Sequence, residues 1–190
     1  MPAHPVSIGV SAGYQASTRS GLVDAPQVGA LVDWRIGTVL HLEAAGVFAP
    51  SLRVDRHYVD LYPPSNTLGT QDVVRRQALV SLMPVFSPLR GRLTRPVDSE
   101  IGLDVGLGFG VVHTLDDLEA LQAEDDAVAV ATEVQWHPAL VWTAGPRVGL
   151  GDRWTARMRL RGTTWIETIE GVSLQSMHPV DLGLTVARAL

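Results

Sequence analysis

Residues 101–112 read IGLDVGLGFGVV, and this segment decides the fold class. Every odd position carries a large apolar side chain, whereas the even positions are glycine except for Asp104 and Val112. A period of two is typical of a β-strand whose two faces meet different surroundings. The segment therefore predicts a strand with one apolar face and one face of nearly bare backbone.

The same alternation recurs along the chain and predicts eight strands of about 10–14 residues, which is longer than most strands in soluble proteins. We expect residues 1–190 to form a single all-β domain, an eight-stranded antiparallel up-and-down barrel. The predicted strands cover Val6–Ala16, Gln27–Ile36, Val39–Ala49, Arg76–Ser87, Ile101–Val112, Gln135–Val148, Arg153–Ile166 and Pro179–Leu190.

The composition excludes several classes of protein. The chain has 190 residues, of which 46% are hydrophobic and 18% charged, and its formal net charge is −5. Cysteine is absent, so a disulfide framework, a thiolate nucleophile and a cysteine-based metal site are excluded. The acidic balance gives no basic footprint for nucleic acid. The first residues show no signal peptide, which leaves open a cytoplasmic protein or a mature form without its signal.

The connections between the predicted strands tend to alternate in length. Short turns follow the second and sixth strands, and long loops are expected at 17–26, 50–75, 115–134 and 167–178. The connection at 88–98 departs from this alternation, and 115–123 is compatible with one short helix. Short turns on one side and long loops on the other are typical of outer-membrane barrels.

Alternation alone leaves open which face is buried. A soluble barrel that binds an apolar ligand, of the lipocalin type, would hold its apolar face inside, whereas a transmembrane barrel turns that face to lipid. The aromatic residues favour the second arrangement, because they share the apolar face and lie near the strand ends, as expected at two lipid–water interfaces. The predicted aromatic girdles comprise Tyr14, Trp34, Phe48, Phe86, Phe109, Trp136 and Trp154.

The opposite face predicts a small, polar and charged interior. An eight-stranded barrel is just wide enough for side chains to fill it, so we expect no wide pore. Arg157, Arg159 and Arg161 share the inward face of one strand. Because unpaired charges would be costly there, we predict a lumen network that joins these arginines to Glu43 and Asp104. Asp33 is expected in the same network, nearer the end of the barrel at which the first strand begins. Structural packing is the simplest role for this network, and proton or ion passage is the alternative.

Three stretches resemble a known family: ALVSLMPVFSPLRGRL at Ala78–Leu93, IGLDVGLGFGVVHT at Ile101–Thr114 and GLGDRWTARMRL at Gly149–Leu160. They are similar to small eight-stranded outer-membrane β-barrels of the outer-membrane protein A type. The closest resemblance is to the outer membrane beta-barrel domain proteins of myxobacteria. The chain departs from this family in ending on Leu190 instead of an aromatic residue. The resemblance implies a fold and a location, and it carries no activity.

Signals for chemistry are weak. His113 precedes Asp116, Asp117 and Glu119, which suggests a base with an orienting carboxylate, although a solvated acidic loop is the simpler interpretation. The sequence also allows inward-facing His137 to meet His113 near the rim of the barrel, where the two with nearby carboxylates would form a metal site without a spacing signature. Two further candidates are a contact surface formed by Tyr58, Tyr62, Pro63 and Pro64, and a cation-binding run at Glu124–Asp126.

The function predicted from the sequence is therefore structural or surface-interacting, at the outer membrane of a Gram-negative cell. We expect no catalysis, cofactor or bound metal. The expected partners are outer-membrane lipid and lipopolysaccharide, with no nucleic acid, and the protein is expected to be monomeric. A barrel enzyme acting on lipid, with His113 essential, is a third hypothesis beside the soluble barrel.

Overall fold

The computed structural model describes residues 6–17, 25–59, 68–93, 99–117, 133–151, 153–169 and 173–190. These residues form nine β-strands, the last two of which are halves of one barrel strand interrupted at His178. The strands are β1 Val6–Ser17, β2 Ala25–Arg35, β3 Leu40–Val59, β4 Leu68–Leu93, β5 Ser99–Asp117, β6 Glu133–Leu150, β7 Trp154–Ile169, β8 Ser173–Met177 and β9 Pro179–Ala189. None of the described residues belongs to a helix long and apolar enough to cross a membrane.

Each strand pairs antiparallel with its neighbours, and the sheet closes on itself. The ladders run in chain order from β1 to β7. The first part of β7, from Trp154 to Gly162, also pairs with β9. In turn β9 pairs with β1, from Ser7 opposite Ala189 to Ser17 opposite Pro179. The result is a closed eight-stranded barrel, as the period-two pattern predicts, and closure leaves no open sheet edge.

The two ends of the barrel differ. At the end that we call the turn end, the strands are joined by residues 36–39, 94–98 and 151–153. Gly151 has a φ of 70°, a left-handed conformation that suits glycine in a tight turn. The irregular connection expected at 88–98 is shorter than predicted, because β4 continues to Leu93.

At the opposite end, which we call the loop end, β3 and β4 continue as a hairpin that stays paired as far as Val59 and Leu68. Much of the predicted loop 50–75 is therefore strand, interrupted by an irregularity between Ala49 and Leu52. The start of the predicted helix at 115–123 is also strand, as far as Asp117. Tyr62, Pro63, Pro64, Glu119 and Glu124–Asp126 lie outside the described residues, and the side chain of Tyr58 is not described.

The strands are strongly staggered around the barrel. A path along cross-strand partners starts on β2 at Arg35 and returns to β2 at Ala25, ten residues away, after one circuit. It passes through His41, Val85, Gly106, Thr143, Arg161, Asp181 and Gln15. Such a stagger accompanies the strand tilt that barrel closure requires. Two residues at equal distances from the ends of their strands are therefore generally not cross-strand partners.

The side-chain directions exclude the soluble barrel with an apolar interior. On β5, Val105 and Leu107 point outward and are 45% and 58% exposed, whereas Asp104 faces the lumen and is buried. The other strands show the same inversion, with exposed Val10, Val80 and Leu184 on the outer surface. The apolar face is the outside of the barrel.

Glycines on the inner face of β5 allow side chains in the lumen to pack against the strand backbone. We therefore expect two alanine substitutions to differ in their effect on stability. A Cβ at Gly106 would lie 2.9 Å from both Thr143 Cγ2 and Val85 Cγ2, which are stiff β-branched side chains. We expect Gly106→Ala to destabilise the barrel by about 1–3 kcal/mol through overpacking. Unfolding by urea in detergent micelles would measure the change.

The matched control is Gly46→Ala, because a Cβ at Gly46 meets nothing within 4 Å. We expect this variant to be neutral or slightly stabilised, since it only restricts the unfolded chain. Equal destabilisation of the two variants would contradict the packing described for Gly106.

Candidate functional site

The lumen gathers the charged side chains that the outer face lacks. Among the described residues, four carboxylates and five arginines are buried there. This set consists of Asp33, Glu43, Asp104, Asp181, Arg75, Arg147, Arg157, Arg159 and Arg161. Because a buried charge is costly without a partner, the arrangement of these groups is constrained at the level of individual atoms.

Arg157 lies at the centre of the set and contacts three carboxylates. From β7 it donates through Nη1 to Glu43 Oε2 at 3.2 Å and through Nη2 to Asp33 Oδ2, and its Nε lies 3.5 Å from Asp104 Oδ2. Asp33 and Glu43 are direct cross-strand partners on β2 and β3, where two carboxylates would repel each other. Arg157 bonds to both and so connects the β7 wall to the β2–β3 wall across the lumen.

Arg159 makes a two-pronged contact with Glu43. Its Nη1 donates to Oε1 at 2.6 Å and its Nη2 to Oε2 at 2.5 Å, and the Glu43 side chain is fully buried. A planar guanidinium matches a carboxylate in this geometry, which is among the stronger arrangements of hydrogen-bonded ion pairs. Glu43 is therefore held by two arginines from β7.

Asp104 separates two like charges. Arg147 on β6 and Arg157 on β7 are direct cross-strand partners. Asp104 reaches Arg147 Nη1 at 3.8 Å as well as Arg157 Nε, and it accepts a 2.5 Å hydrogen bond from Ser87 Oγ. Arg147 also donates to Glu100 at 3.4 Å near the turn end. The carboxylate thus compensates a repulsive pair that the strand register imposes.

Arg161 differs from the sequence expectation. It contacts neither Glu43 nor Asp104 and instead pairs with Asp181, with its Nε and Nη2 at 2.7 Å and 2.6 Å from Asp181 Oδ2, and donates to Gln27 at 3.3 Å. Arg161 and Asp181 are direct cross-strand partners, so the register of β7 with β9 determines this pair. Asp33, which was expected nearer the end of the barrel at which β1 begins, lies directly opposite Glu43.

The lumen network expected from the sequence lacks Arg147 and Asp181, although each has the parity opposite to an outward neighbour, as Asp181 has to Leu182. It also lacks Ser87, which donates a hydrogen bond to Asp104. His41 is a further side chain that faces the lumen. It is buried with Nε2 3.8 Å from Asp33 Oδ1, and neither atom has a hydrogen-bond partner in the described structure.

The lumen is also more apolar than expected. Besides the charged set it contains a cluster centred on fully buried Met83 and Trp165. The cluster consists of Ala25, Leu79, Met83, Val85, Val112, Ala139, Val141, Trp165 and Met177. Packed apolar side chains and ion pairs therefore share the interior.

Two narrow spaces in the lumen lie beside the Arg161–Asp181 pair. One reaches Arg159 and Thr185, and the other reaches Gln77 and Thr163. Both are lined by Gln27, Arg161 and Asp181, which are joined by hydrogen bonds.

All seven aromatic residues expected in girdles are exposed on the outer surface, between 43% for Phe48 and 76% for Phe109.

Gly162 lies on the same surface beneath the indole of Trp142, its direct cross-strand partner. Such cover compensates for the missing side chain of a strand glycine.

The two histidines considered for chemistry face opposite sides of the wall. His113 shares the outward face of Phe109 and packs its ring against Trp136, with centroids 4.3 Å apart. His137 is buried in the lumen, with Nε2 3.4 Å from Thr114 Oγ1. They therefore cannot meet at the rim, as the sequence suggested, and within the described part of the chain no three His, Asp or Glu side chains form a metal-binding group.

Comparison with known proteins identifies the fold. No protein-family model and no curated protein sequence match the chain. Among solved structures, Neisserial surface protein A has a TM-score of 0.60 at 8% identity, covering 97% of this chain and 96% of its own. The outer membrane protein OprG of Pseudomonas aeruginosa has a TM-score of 0.57 at 11% identity, covering 98% and 97%. The N-terminal barrel of OprF from the same organism has a TM-score of 0.54 at 12% identity and 97% coverage of both chains.

At these identities the similarity concerns the fold. It confirms the predicted class, an eight-stranded antiparallel barrel of the outer-membrane type, which the closed sheet and the outward apolar face show independently.

The ion-pair geometry predicts which charges are energetically coupled. In double-mutant cycles with Glu43→Gln, we expect Arg159→Gln to show a coupling energy of about 1–3 kcal/mol, because the two side chains bond directly. Arg161→Gln should show almost none with Glu43 but similar coupling with Asp181→Asn. Urea unfolding in micelles measures each variant.

The Glu43–Arg161 cycle shares one residue with each of the other two cycles, so it serves as the control for both. Strong coupling between Glu43 and Arg161 together with weak coupling to Arg159 would contradict the pairing described here.

Proposed function

We propose that this chain is a monomeric protein of a Gram-negative outer membrane, with a structural or surface-interacting role and no catalytic activity. The observation that carries the proposal is the inverted barrel, in which the outer surface is apolar and the buried interior is charged. A soluble domain rarely exposes a continuous apolar surface of this kind. Lipid is the solvent that favours it.

The orientation follows from the two ends of the barrel. In outer-membrane barrels the short turns face the periplasm and the longer loops face outward. We infer that the turn end, with residues 36–39 and 151–153, faces the periplasm. The extended β3–β4 hairpin then projects from the cell surface, where lipopolysaccharide and external molecules are the available partners.

We further propose that the lumen is closed to solutes. Ion pairs from β7 to β2 and β3 cross it, an apolar cluster occupies another part of it, and the hydrogen-bonded side chains of Gln27, Arg161 and Asp181 project into it. The interior therefore has the character of a polar core and serves to hold the wall in shape.

The membrane assignment predicts a depth-dependent cost for an outward arginine. Leu107 is 58% exposed near the middle of β5. We expect Leu107→Arg to destabilise the barrel in lipid vesicles by about 2–4 kcal/mol, because the charge would lie at the membrane midplane. Reversible urea unfolding in vesicles, with a heat-modifiable gel shift as the sign of folding, measures this cost.

Ile36→Arg is the matched control, since Ile36 is 59% exposed at the turn end. Near an interface the same charge should cost only about 0–1 kcal/mol. Equal costs for the two variants, or complete folding of the wild-type chain in buffer without detergent or lipid, would refute the membrane assignment.

The closed lumen predicts electrical behaviour. In planar lipid bilayers the wild-type protein should give no openings or only small and rare ones, because side chains fill an eight-stranded barrel. Large, stable, ohmic steps would show that the lumen is open and would disprove this part of the proposal.

A further inference from the structure

The outer surface at the turn end carries a cation, Arg188, among apolar side chains. Arg188 is exposed in β9, and its guanidinium carbon lies 5.7 Å from the ring centroid of Trp154, its direct cross-strand partner on β7. Stacking over an aromatic ring uses one face of the planar guanidinium. The N–H groups around its edge remain available to an acceptor.

Apolar side chains lie beside this cation on the outer surface. On the other side of β9, Arg188 is paired in register with Ile8 of β1, which is 49% exposed. The next outward residue of β1, Val6, lies opposite Trp34 of β2, which is 55% exposed. We call Ile8, Trp34, Arg153, Trp154 and Arg188 the turn-end patch.

The turn-end patch contains two cations and no carboxylate, although the chain carries a net charge of −5. The second cation is Arg153, which is exposed immediately before Trp154. Within the described residues, no side-chain carboxylate forms an ion pair with Arg153 or Arg188. Two carboxylates described at this end have other partners, since Asp33 is buried with Arg157 and Glu100 bonds to Arg147.

We propose that the turn-end patch binds the phosphate of an anionic phospholipid in the periplasmic leaflet. A guanidinium can donate two hydrogen bonds to the phosphate oxygens, while the acyl chains lie against Ile8 and the two indoles. The inference rests on the proposed outer-membrane location and orientation. That orientation places the patch beside phospholipid, with lipopolysaccharide in the opposite leaflet.

Native mass spectrometry of the full chain, released from detergent micelles, tests this site. The probes are dioleoyl phosphatidylglycerol and dioleoyl phosphatidylcholine, which share acyl chains and differ in net charge. We expect the wild-type protein to retain phosphatidylglycerol preferentially. Arg188→Gln should weaken that binding about fivefold, the effect of removing one cation near an anionic lipid surface.

Arg76→Gln is the matched control, because Arg76 is also exposed on the outer face but lies toward the loop end of β4. It should leave phosphatidylglycerol binding unchanged. Arg188→Lys provides a second variant if Arg188→Gln does not fold. It keeps the charge and loses the planar fork, so we expect an intermediate loss of about twofold.

Three results would overturn the lipid site: equal retention of the two lipids by the wild type, undiminished phosphatidylglycerol binding by Arg188→Gln, or binding of lipid A that depends on Arg188. Insertion into vesicles is measured separately by the heat-modifiable gel shift. If the wild-type chain inserts but shows no preference for the anionic lipid, only the lipid site fails. If it does not insert, the membrane assignment itself fails.

Discussion

The ion pairs of Arg157 are the interaction on which the rest of the barrel depends. Asp33 and Glu43 are placed side by side by the pairing of β2 with β3, and an interior too narrow for bulk water cannot screen their repulsion. Arg157 crosses from the opposite wall to both of them. Arg157 is 124 residues away from Asp33 in the sequence, and its ion pairs link two walls of the barrel. The positions of Arg159, Asp104 and Arg147 follow from the same need to balance buried charges.

Two kinds of packing fill the lumen, and they contribute differently. The apolar cluster around Met83 and Trp165 tolerates small shifts, because dispersion and burial have little directionality. The ion pairs are directional, since a displaced guanidinium leaves a buried charge without a partner. The polar half of the interior therefore specifies how the walls align, while the apolar half fills the remaining space. Pairing of this kind is weak evidence for high stability and better evidence for a single geometry.

The strands and their faces could be predicted from the sequence because period-two alternation is local and the outer surface is largely apolar. The partner of Arg161 could not, because it depends on the register between β7 and β9, which the pattern within a single strand does not carry. The expected network joined Arg161 to Glu43 and Asp104, whereas the register places it opposite Asp181. Leu79, Met83 and Val85 were also hard to assign, because β4 is apolar on both faces. The β3–β4 hairpin beyond Ala49 was missed because the strand pairing becomes irregular between Ala49 and Leu52.

Closure by the first and last strands imposes an order on folding. Ser7 pairs with Ala189, so the sheet keeps two unpaired edges until β9 has left the ribosome and reached its place. The carboxylates of β2 and β3 likewise have no counter-charge until β7 follows. Such long-range contacts make folding slow and leave the incomplete chain prone to aggregate. The two sheet edges and the carboxylates of β2 and β3 therefore stay without partners until the last strands are in place.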